Sequence, residues 1–202
     1  AHYPRGSHDG KYLAYIRITD PERKEGALWI VERDGKRAFQ VQGLPRPVGA
    51  GDFEWSPTKP VLAVKGFGKD WSDYIWLVPV DGEPRQLVEA QNPIWFAWSP
   101  DGKQIAYNIT APSENMETRG DILYTMDIEE EKEVKRLDLS GTDTGIEMAK
   151  WWPDGKGLLY MTNHNHSSST RADGLTLWSL SLDGTQPKSI ARSEERRVGK
   201  EC

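Results

Sequence analysis

Short apolar runs recur along the whole chain, separated by polar clusters rich in Asp, Gly, Ser and Pro. That alternation predicts strands joined by tight turns. No stretch of ten or more residues carries the 3.6-residue apolar period of an amphipathic helix. Asp-Gly between apolar runs, as at 34–35, 81–82, 101–102, 154–155 and 183–184, marks hairpins. In Ser99-Pro100-Asp101-Gly102 the proline presets φ for the turn and the glycine supplies positive φ.

The runs are copies of one unit. Segment 101–107 (DGKQIAY) has relatives at 9–15 (DGKYLAY), 154–160 (DGKGLLY) and, more distantly, 58–64 (TKPVLAV). In chain order their first residues lie 49, 43 and 53 positions apart. A Trp-x-Pro triplet, starting at Trp55, Trp98 and Trp151, precedes three of them; the first copy reads Gly6-Ser7-His8 instead. A second apolar strand follows each copy and ends in a turn 23 to 29 residues further on. An aromatic holds the same place in every one: Trp29, Trp76, Tyr124 and Trp178.

Each unit reads as four strands, in the third unit over 95–98, 104–109, 122–128 and 133–137. Four strands per repeat of this length is the pattern of β-propeller blades, with the register aromatics wedged between neighbours. The fold class is therefore all-β, with four-stranded antiparallel blades at about 1–43, 51–90, 94–139 and 147–191. Unrelated hairpins in a sandwich are the alternative.

At these residues the chain resembles the TolB-like β-propeller repeats, a WD-repeat-like family. Residues 98–107 (WSPDGKQIAY) and 75–82 (IWLVPVDG) carry the resemblance, which covers about 7–190. The departures are the missing Trp-Ser-Pro in the first unit, Thr58-Lys59-Pro60 in place of Asp-Gly-Lys, and Trp152 in place of Ser. The resemblance implies six to eight blades in the ring, so about four form an incomplete arc. The first unit shows no clear first strand, and an arc leaves two blade faces and strand edges uncovered. The segment 192–202 breaks the pattern and holds the lone cysteine, Cys202. It resembles a non-native tail; a charged partner-binding tail is the other reading.

Composition narrows the functional classes. The net charge is −5 with both signs scattered, which argues against a nucleic-acid binder. No apolar run approaches the length of a membrane helix. Nine of the twenty aromatics are Trp, a content typical of folded chains. One cysteine allows no disulfide framework. No P-loop, dinucleotide fingerprint, EF-hand loop or G-x-S-x-G elbow occurs, so no cofactor and no catalytic residue is assigned.

Ser7-His8-Asp9 has triad residue types, but adjacent residues cannot converge on one substrate atom, and these sit on a repeat turn. His164-Asn165-His166 offers two metal-type ligands without an evident third, so no metal is assigned. Asn108-Ile109-Thr110 and Asn165-His166-Ser167 are glycosylation sequons of the kind that occur by chance. The acids Glu129, Glu130, Glu131 and Glu133 read as a solvated turn.

The loops differ more than the strands. Segments 17–26, 65–73, 108–120 and 162–174 are long and dissimilar, and their charges nearly cancel. A repeat scaffold carries function on such loops. The residues expected to bind a protein or peptide partner there are Phe67, Trp71, Trp95, Arg119, His164 and His166. Of these, Phe67, Trp71 and Trp95 fall outside the aromatic register and are expected at the surface. The resemblance implies a non-catalytic, periplasmic or secreted binding propeller. The alternative it admits is the substrate-gating propeller of a prolyl oligopeptidase-type serine peptidase whose hydrolase domain lies outside this sequence, and, less well, a propeller lyase with a metal-assisted site.

Overall fold

A computed structural model describes residues 2–20, 25–44, 53–67, 73–89, 93–112, 120–164 and 175–192. Sixteen strands form four antiparallel sheets, each a meander in chain order. The first sheet holds β1 (His2–Gly6), β2 (Tyr12–Asp20), β3 (Glu25–Glu32) and β4 (Ala38–Gln40). The second holds β5 (Phe53–Trp55), β6 (Val61–Phe67), β7 (Asp73–Pro79) and β8 (Arg85–Glu89). The third holds β9 (Pro93–Trp98), β10 (Gln104–Thr110), β11 (Asp121–Asp127) and β12 (Glu133–Asp138). The fourth holds β13 (Thr144–Trp151), β14 (Gly157–His164), β15 (Thr176–Ser181) and β16 (Lys188–Arg192). These are propeller blades, and the sheets do not close into a ring. Three apolar clusters fill the three gaps between successive sheets.

Each sheet has a leading face, toward the sheet before it, and a trailing face, toward the sheet after it. Register decides which side chains go where, because strand residues alternate between faces. Tyr107 pairs across strands with Tyr124, and Tyr160 with Trp178. Their rings stack at 5.5 and 6.3 Å on the leading faces of the third and fourth sheets. Val64 and Trp76 hold the same place in the second sheet. The register aromatics of these sheets thus wedge against the preceding sheet.

The tryptophans of the Trp-x-Pro triplets make a second, regular contact. Each indole N–H donates to a backbone carbonyl on the first strand of the preceding sheet. Trp55 reaches Arg5 at 2.8 Å, Trp98 reaches Glu54 at 3.1 Å and Trp151 reaches Ala97 at 3.0 Å. In the last two contacts the acceptor is the residue just before the previous triplet's tryptophan. The repeat therefore encodes its own sheet-to-sheet clasp.

The first turns of the first and third sheets are built alike. Ser99 Oγ donates to Asp101 Oδ1 at 2.7 Å, and Asp101 accepts the Lys103 N–H at 3.0 Å. Ser7, Asp9 and Lys11 repeat this at 2.7 and 3.1 Å, so Ser7-His8-Asp9 is that turn. Gly10, Gly102 and Gly155 follow at φ near +70°, where a side chain is strained.

Two expectations need correction. The first unit does have a first strand, β1, paired with β2 through a bulge between His2 and Arg5. Its sequence hides it: Tyr3 is in the left-handed region at φ 55°, and Pro4 interrupts any alternation. The predicted long loops are also shorter than drawn. Pairing continues outward to Asp20 with Glu25, to Phe67 with Asp73, to Thr110 with Asp121, and to Thr162 with Thr176, with β14 running on to His164 against Thr144.

Candidate binding face

In a meander the first and third turns of every sheet share one end, and the second connections and sheet-to-sheet crossings share the other. The first end is tied down. Lys59 pairs with Glu129 at 2.9 Å, Arg85 with Glu131 at 2.5 Å, and Arg37 with Asp81 at 2.9 Å, each bridging two sheets. Arg85 also donates to the Ile128 carbonyl at 2.6 Å. The acidic turn read from sequence as simply solvated is thus exposed but ion-paired to its neighbour. Each exposed pair contributes at most about 1 kcal/mol.

The opposite end carries the predicted binding residues. Trp71, Arg119 and His166 lie outside the described residues, as do the side chains of Phe67 and His164, whose backbones end β6 and β14. Trp95 is described, and it corrects the expectation of an exposed ring. It is half-buried on β9, packs on the third apolar cluster, and its indole N–H donates to the Ile146 carbonyl at 3.2 Å.

Beside Trp95 is a polar knot that sequence reasoning missed. Asp121, 1 % exposed, opens β11. Its Oδ2 accepts the Ile146 N–H at 2.7 Å and the Asn108 side-chain amide at 2.9 Å. Asn108, fully buried, also donates to the Ile146 carbonyl at 3.2 Å. One carboxylate therefore ties β10 and β11 of the third sheet to β13 of the fourth. Burial raises the Asp121 pKa above its ordinary 3.8, against the pull of its hydrogen bonds from Ile146, Thr110 and Asn108. Gly120 precedes it because a Cβ there would lie 1.9 Å from the Leu139 carbonyl oxygen.

A groove of about 480 Å³ opens between the same two sheets. Leu137 and Leu139 line one side, and Tyr160 and Trp178 the other. Thr144, Thr162, Thr176, Asn163 and Gln186 supply hydroxyl and amide groups. Trp178 donates its indole N–H to Thr162 Oγ1 at 2.9 Å, and burial pushes the Tyr160 hydroxyl up to about 12. Among the described residues that line it none is charged at neutral pH, so this part of the groove suits an uncharged, hydrogen-bonding segment. Its volume is within the usual range of ligand pockets. The sequence signal, legible only with the register known, is the threonine at the loop end of β13, β14 and β15.

Among the described residues no group of three or more His, Cys, Asp or Glu is placed to hold a metal, and no helix is long and apolar enough to cross a membrane.

No protein-family model and no curated protein matches the chain by sequence. Solved structures do match. TolB from Acinetobacter baumannii is 20% identical with a TM-score of 0.60, over 89% of this chain and 41% of that one. An acylaminoacyl peptidase is 12% identical with a TM-score of 0.65, over 94% of this chain and 32% of that one. Dipeptidyl peptidase 4 from Porphyromonas gingivalis is 11% identical with a TM-score of 0.61, over 96% and 33%. At such identities the likeness establishes the propeller fold. The chain spans about a third to two-fifths of the length of these structures.

Proposed function

We propose that the chain is a non-catalytic, TolB-like binding propeller, working in the periplasm or outside the cell, that holds a protein or peptide on its long-loop end. The observation that carries this is the asymmetry between the two ends. One end is short-turned and ion-paired; the other carries the dissimilar connections, and the groove between the third and fourth sheets runs from the threonines at that end toward Gln186 and Pro187 in the third turn. A rigid frame presenting unlike loops is how repeat scaffolds bind. The likeness to TolB supports the same reading.

The test replaces Trp71 and Arg119 together with alanine. Proteins retained from an envelope extract by the native chain should be retained about tenfold less by the variant, since Trp and Arg dominate binding energy. Equal retention by both would refute the loop-end site. A second reading, the substrate-gating propeller of a prolyl oligopeptidase-type peptidase, is favoured by the likeness to acylaminoacyl peptidase. It requires a G-x-S-x-G elbow in the reading frame beyond residue 192, which sequencing of the source DNA reads directly.

A further inference from the structure

The seam between the third and fourth sheets departs from the repeat on both of its walls. On the leading face of the fourth sheet, the cross-strand pair outward of Tyr160–Trp178 is Thr162–Thr176. The third sheet has Ile109–Ile122 at that place. On the trailing face of the third sheet, Thr125 pairs with Ala106. In the earlier sheets the same place holds Ile30 and Leu77, both core residues of their seams. Hydroxyls therefore stand in this seam where apolar side chains stand in the others.

The larger departure is Arg136. In β8, Gln86 pairs with Trp76 and Val88 with Ile75, so Leu87 is an extra residue between them, buried in the second seam. In β12, Lys135 pairs with Tyr124 and Leu137 with Leu123, which puts Arg136 at that place. Its Nε–H donates to Thr125 Oγ1 at 2.8 Å, so the side chain lies on the trailing face, toward the fourth sheet. Among the described residues no carboxylate pairs with it, and burial lowers its pKa unopposed. A guanidinium drawn from water without a counter-charge costs free energy that an arriving anion relieves. Register sets Arg136 in line with the groove. From the long-loop end inward, the third sheet's wall runs Leu139, Leu137, Arg136, and the fourth sheet's runs from Thr162 and Thr176 to Gln186. The groove is thus neutral along its described lining and meets a half-buried cation toward the end of the short turns.

We propose that this groove receives the C-terminal end of a partner chain, with a few uncharged residues between the walls and the terminal carboxylate on the Arg136 fork. The inference rests on the reading that the chain holds a protein or peptide. A guanidinium takes both oxygens of a carboxylate in parallel hydrogen bonds. Threonine hydroxyls and the Gln186 amide donate and accept at once, as a peptide backbone requires. Leu137, Leu139 and Trp178 supply apolar surface for its side chains. One cation at one end of a neutral groove matches one charge at the end of a neutral segment, which is the form of a chain terminus.

Two peptide libraries test this on the immobilised whole chain. Both are N-acetylated tetrapeptides of Ala, Leu, Ser, Thr, Asn and Gln; one ends in a free carboxylate and the other in an amide. Mass spectrometry of the retained peptides should show the free acids favoured at least about tenfold. Arg136→Leu installs the residue the second sheet has at this place. It should unfold at the same temperature as the native chain or higher, yet lose the preference for free acids; a purely structural arginine would give the reverse. Equal retention of acids and amides, retention of neither at about 1 mM, or a preference that survives Arg136→Leu would overturn the proposal. So would equal capture of amidated peptides carrying one internal Asp, which would assign the groove to an acidic side chain. Whole-partner retention by the Trp71 and Arg119 variant is read separately, so the loop-end site and this groove fail independently.

Discussion

Asp121→Ala is expected to lower the unfolding free energy by about 2–4 kcal/mol, and the midpoint of thermal unfolding by roughly 5–15 °C. The alanine leaves the Ile146 N–H and the Asn108 amide, both in the buried seam between sheets, without their acceptor. Relief from holding a desolvated carboxylate offsets part of that loss. Asp121→Asn keeps the shape and one acceptor oxygen, and should cost about 1–2 kcal/mol at neutral pH. The pH dependence separates the terms. Because burial raises the folded-state pKa above 3.8, the folded protein binds this proton more tightly than the unfolded chain. The associated stability is fully present below 3.8 and is lost as pH rises through the folded-state value. On acidification from neutral toward 4, the native protein should therefore gain stability relative to Asp121→Asn. Equilibrium unfolding of both proteins across that range checks the sign. A gap that narrows instead would mean that the hydrogen bonds hold the carboxyl below its ordinary range.

The second large effect is expected at Tyr107. This ring is 1 % exposed, stacks on Tyr124, and its hydroxyl donates to Glu133. Tyr107→Ala opens a cavity in the seam between the second and third sheets and should cost about 3–5 kcal/mol. Tyr107→Phe keeps the packing and should cost about 1 kcal/mol. Tyr15 holds the same repeat position in the first sheet, on the face no described sheet covers. Tyr15→Ala should cost less than Tyr107→Ala, because Tyr15 is only partly buried. Similar losses at Tyr15 and Tyr107 in chemical denaturation would show that the first sheet's leading face is already covered within one chain.

The features legible in the sequence are those set within one hairpin. The Asp-Gly turns, the register aromatics and the strands of the third unit follow from neighbours a few residues apart. The sequence-predicted 104–109 and 133–137, for example, became Gln104–Thr110 and Glu133–Asp138. What escaped depends on partners brought together from afar. The Asp121 knot joins residues 25 positions apart across two sheets, and Lys59–Glu129 spans 70. Nothing local marks a lone Asp as a clasp or an acidic turn as ion-paired. β1 escaped because a bulge, a left-handed Tyr3 and a proline erase the alternation that announces a strand. The site was less legible than the fold. Trp95 looked free because it stands outside the aromatic register, yet its N–H is spent on Ile146. The groove threonines gave no signal until the strand ends were known.

The tryptophan clasp also sets a direction in time. Trp55, Trp98 and Trp151 each donate backward along the chain, to carbonyls 50, 44 and 54 positions earlier. A sheet leaving the ribosome therefore meets an acceptor already in place, and none waits for a later one. Protease protection of nascent chains should rise in three steps, one as each tryptophan-bearing sheet emerges, rather than in one step on release. With that result, synthesis from the amino terminus and docking of the sheets run in the same order, each completed sheet serving as the template for the next.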